Sequence, residues 1–422
     1  MVSTSQNRRD VYAAAGLVLL VGTAAAVGAV LRARDVPIFA GAAPLFGEWL
    51  PHLGPGTAPA LLLAVAAVLW GPRLADRLPW RGLLATAYLT AVAWTLALAT
   101  ADGWQRGLAS RLTTTDEYLH EVPGVTDLGT FLAGFAGRIL DFQPDSWTTH
   151  VSGHPPGALL VYVLLDRIGL GGGVWAGVVT VLVGALVAVA VPVTVRALGT
   201  EELARRAAPF LALFPGAVWF GVSADGLFAG VTATGIALLA LGRWWRGVLG
   251  GLLLGFGLFL SYGLVLLGPL ALVAAWRGRT LLPAAAAVLA VVLGFLAGGF
   301  WWLDGYHLVV QRYYQGIATA RPYGYWVWAN LAALALAVGP ATAAGLRRVA
   351  GSRVLLPLVG VAVLAVLAAD VSGLSKAEVE RIWLPFAVWL AAGTALLPHR
   401  RRWLAVQVVT ALAVNHLVLT NW

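Results

Sequence analysis

The chain reads as an all-α, polytopic helical membrane protein of about 13 transmembrane helices with one large polar outer loop that contains surface helices. Three observations predict this. Hydrophobic residues make up 60% of the 422 and charged residues only 11%, with a mean hydropathy of +0.82, whereas soluble domains average roughly a quarter charged residues. Apolar runs of about 15–22 residues, the length that crosses a bilayer, recur from end to end. The basic residues fall in short clusters between these runs, the pattern that orients membrane helices. That distribution assigns the net charge of +9 to a membrane surface and excludes nucleic acid as the partner. With no cysteine in the sequence, disulfides, thiolate catalysis, Cys-ligated zinc and iron–sulfur clusters are excluded.

Arg8 and Arg9 precede the first apolar run, which is longer than the core of a signal peptide and is followed by further spans; it reads as a retained helix. Spans are predicted near 11–31, 57–71, 82–101, 174–195, 207–222, 226–242, 247–260, 262–276, 281–300, 325–344, 354–370, 382–397 and 403–419, with the N-terminus cytoplasmic. The inner side then receives 18 of the 28 basic residues and four acids (Asp10, Asp76, Glu201, Glu202), a balance of +14; the outer side, with ten basic residues and fifteen acids, carries −5. A wrong parity would scramble this sorting. Arg246 and Arg277 both sort inward, so the thirty residues between them must go out and back as two short helices turning near Ser261-Tyr262-Gly263. Short helices are tolerated when buried among others. Segment 156–169 opens on Pro155-Pro156 and closes on Asp166-Arg167. It is too short to span and reads as an outer-surface helix against the membrane, broken by Gly171-Gly172-Gly173. The organisation is thus an N-terminal three-helix segment (1–101), a large extracytoplasmic loop with juxtamembrane helices (102–173) and the remaining helical core (174–422). Tryptophans at the span ends form the aromatic belt.

The polar loop concentrates the chemistry. Between Asp102 and Pro155 lie seven of the 19 acids and three of the seven histidines, His120, His150 and His154. A long polar segment in a membrane protein sits in water or lines a cavity. In Thr113–Glu121 the adjacent Asp116 and Glu117 suit a general base or a cation site, and Asp116 with His120 forms an i,i+4 pair that could share a divalent cation. The same residues also suit a capped surface helix, with Thr114 or Thr115 as N-cap. Ser152-Gly153-His154-Pro155-Pro156-Gly157 turns rigidly into a helix whose N-terminus, with His154, suits an anionic group such as a phosphate, or is simply a loop–helix junction. Asp225, the only acid between Ala207 and Trp276, sits at an outer membrane boundary, where an ionisable residue is a functional candidate; it also suits a helix cap. Asp304, His307, Arg312, Tyr313, Tyr314, Arg321 and Tyr323 interleave rings with guanidinium groups, as sugar and phosphate surfaces do and as an interfacial belt also does. In Ser375–Trp383, Lys376 and Arg381 must be paired or bind an anion, and Glu380 beside Arg381 permits a plain salt bridge. Asn415 and His416 read as interhelical hydrogen-bond partners.

This order resembles the GT-C superfamily of membrane glycosyltransferases: an acid pair followed by Tyr118, a His-Pro-Pro junction, a span ending in Arg196, then Ser223-Ala224-Asp225. Within it, the pattern is most similar to protein O-mannosyltransferases and aminoarabinose lipid A transferases. Asp116 to about Leu241 carries most of the likeness, and Glu380-Arg381-Ile382-Trp383 adds a weaker C-terminal match. The phrasing Asp-Glu-Tyr-Leu, Gly-His-Pro-Pro-Gly, Ser-Ala-Asp is similar to that of actinobacterial membrane proteins, as is the lysine-poor composition. The resemblance implies a polyprenyl-phosphate sugar donor used at the outer leaflet and an extracytoplasmic acceptor (glycan, lipid or protein). It assigns the catalytic role to Asp116, with Glu117 and Asp225, and substrate binding to Tyr118, His120, His154, Asp304, His307, Arg312, Tyr313, Arg321, Glu380 and Arg381. Arg312, Arg321 and Arg381 are the candidate phosphate clamp. No cofactor is implied with certainty; a divalent cation is allowed. Two departures stand out. The turn Ser261-Tyr262-Gly263 lacks the lysine of aminoarabinose-type relatives, and two extra helices precede the core, so Asp102 rivals Asp116 as base. The alternatives are a transporter or flippase of lipid-linked sugars, and a noncatalytic cell-envelope scaffold. A transporter places ionisable groups near mid-membrane, whereas here they gather at one face.

Overall fold

The computed structural model describes residues 4–421. Among the described residues helix predominates, with one two-stranded antiparallel pairing. A helix or pair of helices falls on each segment the sequence marks as a span. Four are long and apolar enough to cross a membrane unaided: Gln6–Ala33, Thr57–Arg77, Trp80–Asp102 and Gly173–Leu198. The number is up to six if each of two bent pairs counts as one span. Four further apolar helices, Ala224–Ala240, Tyr262–Gly278, Leu355–Val371 and Leu384–Leu396, are shorter.

Proline and glycine cause the shortening. The predicted span 207–222 is instead the helix Glu201–Ala212, capped by the Thr200 hydroxyl on the Leu203 N–H, and a separate turn Ala217–Phe220. Pro215 and Gly216 lie in the break. The predicted span 325–344 bends by 101° between Tyr323–Val338 and Pro340–Val349. There Gly339 takes φ +78° and Pro340 offers no N–H to continue the ladder. Leu281–Ala297 likewise meets Trp302–Gln315 at 72°.

Between Arg246 and Arg277 the chain does go out and back. Helix Trp244–Leu258 ends before the turn at 259–261, and helix Gly268–Gly278 returns. The Thr280 hydroxyl then donates to the Leu239 carbonyl at 3.1 Å, beside the start of the outgoing helix. A helix stands at the predicted place, Pro156–Arg167, with Gly157, Ala158, Leu159, Tyr162 and Val163 turned into the core.

The two predicted charge sets occupy separate places. Asp10 binds Arg347 and Arg348, Asp76 binds Arg400, Glu201 binds Arg196 and Arg205, and Glu202 lies by Arg206. The acids predicted to lie outside pair with bases at the lid end: Asp102 with His52 and Arg111, Glu121 with Arg138, Asp141 with Arg312, Glu378 with Arg321, and Asp225 with Arg381. Among the described residues no ion pair joins the two sets.

The polar loop is a packed lid on one end of the bundle. Its turns bury Leu108, Leu112, Phe131, Phe135, Ile139 and Trp147 into the main core. The Arg138 guanidinium covers the Trp147 ring at 3.3 Å, a cation–π contact. Strand Gly47–Trp49 pairs antiparallel with Val418–Thr420, so the segment after the first helix and the C-terminus clasp each other beside the lid. The sequence reading did not contain this clasp.

The absence of native cysteine makes the two-ended charge sorting testable by labelling. Thr126→Cys on the lid should react with a membrane-impermeant maleimide in intact cells, and Glu202→Cys only after permeabilisation. Labelling of both in intact cells would overturn the opposite placement of these ends.

Candidate active site

Asp225 lies in the first turn of helix Ala224–Ala240 and is buried. Close backbone approach fixes that helix. A Cβ on Gly230 would fall 1.9 Å from the Val183 carbonyl oxygen, so only glycine permits this packing against the Gly173–Gly184 helix. Asp225 Oδ2 accepts from Arg381 Nη1 at 2.7 Å. Arg381 Nη2 donates to Glu378 Oε2 at 2.8 Å and to His150 Nε2 at 3.0 Å. A guanidinium only donates, so His150 Nε2 accepts and the imidazole proton sits on Nδ1. That Nδ1 donates to the Asp116 carbonyl at 2.8 Å and lies 3.5 Å from Glu117 Oε1. Three chain segments far apart in sequence thus meet around one buried cation.

Burial works against the charge on Arg381, but Asp225, Glu378 and Glu117 outweigh it and raise its pKa further. Burial likewise opposes ionisation of Glu378, yet Arg381 and Arg321 hold its carboxyl below the usual range. Tyr118 is pushed well above its ordinary value by burial, then by Glu117 and Asp225, and stays a hydroxyl. The turn that aims Glu378 is strained. Ala377 and Glu378 have φ of +72° and +64°, each costing about 1–2 kcal/mol for a non-glycine residue. Asn330 holds it, accepting from the Ala377 N–H at 3.2 Å and donating to the Ser375 carbonyl at 2.6 Å and to Asp370 at 2.9 Å.

The predicted acid pair divides. Asp116 is exposed, with Oδ1 accepting from the Thr149 hydroxyl at 3.2 Å, while Glu117 points into the cluster and is buried. Residues 113–117 are not an α-helix, and Tyr118–His120 is a single tight turn. The anticipated capped helix is therefore absent, and Asp116 and His120 do not share a helical face. Both are exposed. Among the described residues no group of three His, Asp or Glu side chains is placed to hold a metal ion.

Glu380 also departs from expectation. It does not pair with Arg381; neighbours one residue apart in a helical turn face different ways. Its Oε1 accepts from the Phe46 N–H at 2.9 Å, tying the 36–50 strap to the site, and Oε2 is buried without a partner. Burial raises its carboxyl to about 7.

Arg321 donates to the Lys376 carbonyl at 2.7 Å and to Glu378 at 3.1 Å, and its buried Nε and Nη2 have no partner. The Tyr313 hydroxyl accepts from the Lys376 N–H at 3.0 Å. Arg312 is committed elsewhere, to Asp141 at 2.5 Å and the Ser152 hydroxyl at 3.2 Å, and anchors the lid. Asp304 and His307 are exposed on helix Trp302–Gln315, and no hydrogen bond or ion pair connects either to the cluster. Asp102 is held by His52 and Arg111, both at 2.8 Å. Arg111 and Arg106 also donate to the Thr420 carbonyl, so this group fastens the terminal clasp.

His154 sits against Tyr118 and Phe228, with ring centroids 5.9 and 5.4 Å away. Tyr118 meets Tyr162 in a tilted contact at 5.3 Å, and beyond Tyr162 a cavity of about 250 Å³ opens between the lid and the Pro156–Arg167 helix. The sequence reading missed His150 and Glu378. The spacing signals existed: His150 is four residues before His154, and Glu378 three before Arg381.

No family model and no curated protein matches the chain. Among solved structures, the fold is similar to a crystal structure of the Archaeoglobus fulgidus oligosaccharyltransferase complexed with zinc and sulfate. The TM-score is 0.50 and the identity 14%, over 80% of this chain and 53% of that one. A second structure of that enzyme, tethered to an acceptor peptide by a disulfide bond, aligns at TM-score 0.44 and 12% identity, over 73% and 49%. The chain spans about half the length of the enzyme it matches. The likeness is one of fold.

Two measurements test the cluster. Asp225→Ala should lower stability by about 3–5 kcal/mol, because it removes a partner from a buried ion pair, and Asp225→Leu with Arg381→Met should restore part of it; unfolding midpoints in detergent report both. The raised carboxyl of Glu380 sets a second expectation. Between pH 4.5, its unfolded value, and about 7, the folded state binds more protons, so this group's contribution to stability falls as pH rises. Glu380→Gln should flatten that dependence.

Proposed function

We propose that the protein is a membrane glycosyltransferase that moves a sugar from a polyprenyl-phosphate donor to an extracytoplasmic acceptor. The observation that carries this reading is the convergence of Asp225, Glu378, His150 and Arg381 in one buried cluster beneath a polar lid. The likeness of fold to an oligosaccharyltransferase supports it. Transfer requires an oriented nucleophile at the anomeric carbon and a cation for the departing phosphate. Arg321, with two unused donors under the Phe46 ring at 5.3 Å, takes the phosphate. Arg381, tied to two carboxylates, organises the site. Glu117 and Asp225 face the reacting groups, and Asp116 positions His150 through its carbonyl. The N-terminus is cytoplasmic and the site faces outward.

Purified protein incubated with radiolabelled polyprenyl-phosphate mannose, arabinose or glucose and cell-envelope extract should release label from the lipid. Asp225→Asn should reduce turnover by about 10²-fold or more while the protein remains membrane-inserted, and Arg321→Ala should chiefly weaken donor binding. A protein that releases no label from any of the three lipids, or an Asp225→Asn variant with unchanged turnover, would refute the reading.

A further inference from the structure

A half-buried histidine, His154, stands beside the cluster. His154 Nδ1 lies 2.8 Å from the His150 carbonyl oxygen and 2.9 Å from the Tyr118 hydroxyl. A carbonyl oxygen only accepts. At this distance Nδ1 must carry the proton, because a lone pair there would face the carbonyl lone pairs. The other nitrogen, Nε2, therefore presents a lone pair, and no described residue bonds to it. The ring also contacts Tyr118 and Phe228, and the Nδ1 contacts to the His150 carbonyl and the Tyr118 hydroxyl orient it.

Resting on the transferase reading, we propose that His154 is the base that takes the proton from the acceptor's nucleophilic hydroxyl or amine. The acceptor O–H or N–H bond breaks and its proton goes to Nε2. The nucleophile's electron pair forms the new bond to the anomeric carbon. The bond from that carbon to the donor phosphate oxygen breaks, and its pair leaves with the phosphate. His154 becomes an imidazolium and returns its proton to water or to the departing phosphate. Nothing is oxidised or reduced.

The carboxylates are engaged differently. Asp225 is ion-paired to Arg381 at 2.7 Å, and Glu117 lies against the proton-bearing Nδ1 of His150. The groups facing His154 are Tyr118 and His150 from the lid, Asp225 from helix Ala224–Ala240 and Arg381 from the Val379–Ile382 turn. Burial lowers its pKa; Asp225 and the hydrogen bond to the His150 carbonyl partly offset this, while His150 and Arg381 add to it. The ring is accordingly neutral at pH 7 and available as an acceptor. An imidazolium formed during transfer would be stabilised by Asp225.

The test uses the full-length protein in the label-release assay, with His154→Ala and His154→Gln. The wild-type rate should fall on the acid side, with a midpoint below the ordinary histidine value of about 6.5. Both variants should lose about 10²–10⁴-fold in turnover and the acid limb with it. Added imidazole should restore turnover to His154→Ala but not to His154→Gln, whose side chain fills the space. Variants within threefold of wild type, or slow variants that keep the same acid limb and ignore imidazole, would overturn the role. A second arm needs no turnover: nitrogen NMR of histidine-labelled wild type should show His154 as the neutral Nδ1–H tautomer at pH 7. The Nε2–H tautomer or a charged ring would overturn the inference by itself. Absence of transfer with the expected tautomer would instead count against the transferase reading.

Discussion

A guanidinium withdrawn from water must be neutralised where it sits, and the lid end of this protein is arranged around that constraint. Arg381 is 5% exposed. The penalty for burying such a charge is several kcal/mol, so the neighbouring elements must deliver carboxylates to it. Asp225 comes from the start of one helix, Glu378 from the turn before Arg381, and His150 from the lid. Each partner constrains a different part of the chain. Moving any of these elements by an ångström or two would strand a buried charge. The same low-dielectric setting that makes the arrangement necessary also strengthens every electrostatic contact inside it.

The surrounding structure serves this arrangement. Glycine contacts let the helix of Asp225 lie against its neighbour at backbone distance. Asn330 maintains two left-handed residues that turn Glu378 toward both Arg321 and Arg381. The lid packs Trp147, Phe131 and Phe135 into the main core; Arg312 on Asp141 fastens it to a neighbouring helix, and Arg138 on Glu121 ties it internally. The strap after the first helix is held by Glu380 through the Phe46 N–H. Polar groups position the elements, and the apolar side chains on the inner side of the lid lower the dielectric in which they act.

Much of this was legible in the sequence, for reasons of solvation. Helix positions follow from apolar runs, and the two charge sets follow from the cost of placing arginine in hydrocarbon. That Asp225 and Arg381 need a partner was visible because an ionisable residue beside an apolar stretch needs a reason, and they pair with each other. The acid pair shows the limit of such reading. Asp116 and Glu117 look equivalent on paper, but the turn at 113–117 sends one to solvent and the other into the cluster. Similarly, Glu380 is adjacent to Arg381 in sequence, while the pairing goes to Glu378 and Asp225.

The sequence by itself determined that this is a helical membrane protein with a polar lid, and which acids and bases belong to which end. Those properties depend on the transfer of each segment between water and lipid, which is a local quantity. Only the tertiary structure decided that His150 joins Arg381, that Asp102 fastens the terminal clasp, that Gly339-Pro340 bends a span, and that His154 keeps one nitrogen open. These depend on hydrogen-bond direction and backbone approach between segments up to hundreds of residues apart, and no local pattern encodes either.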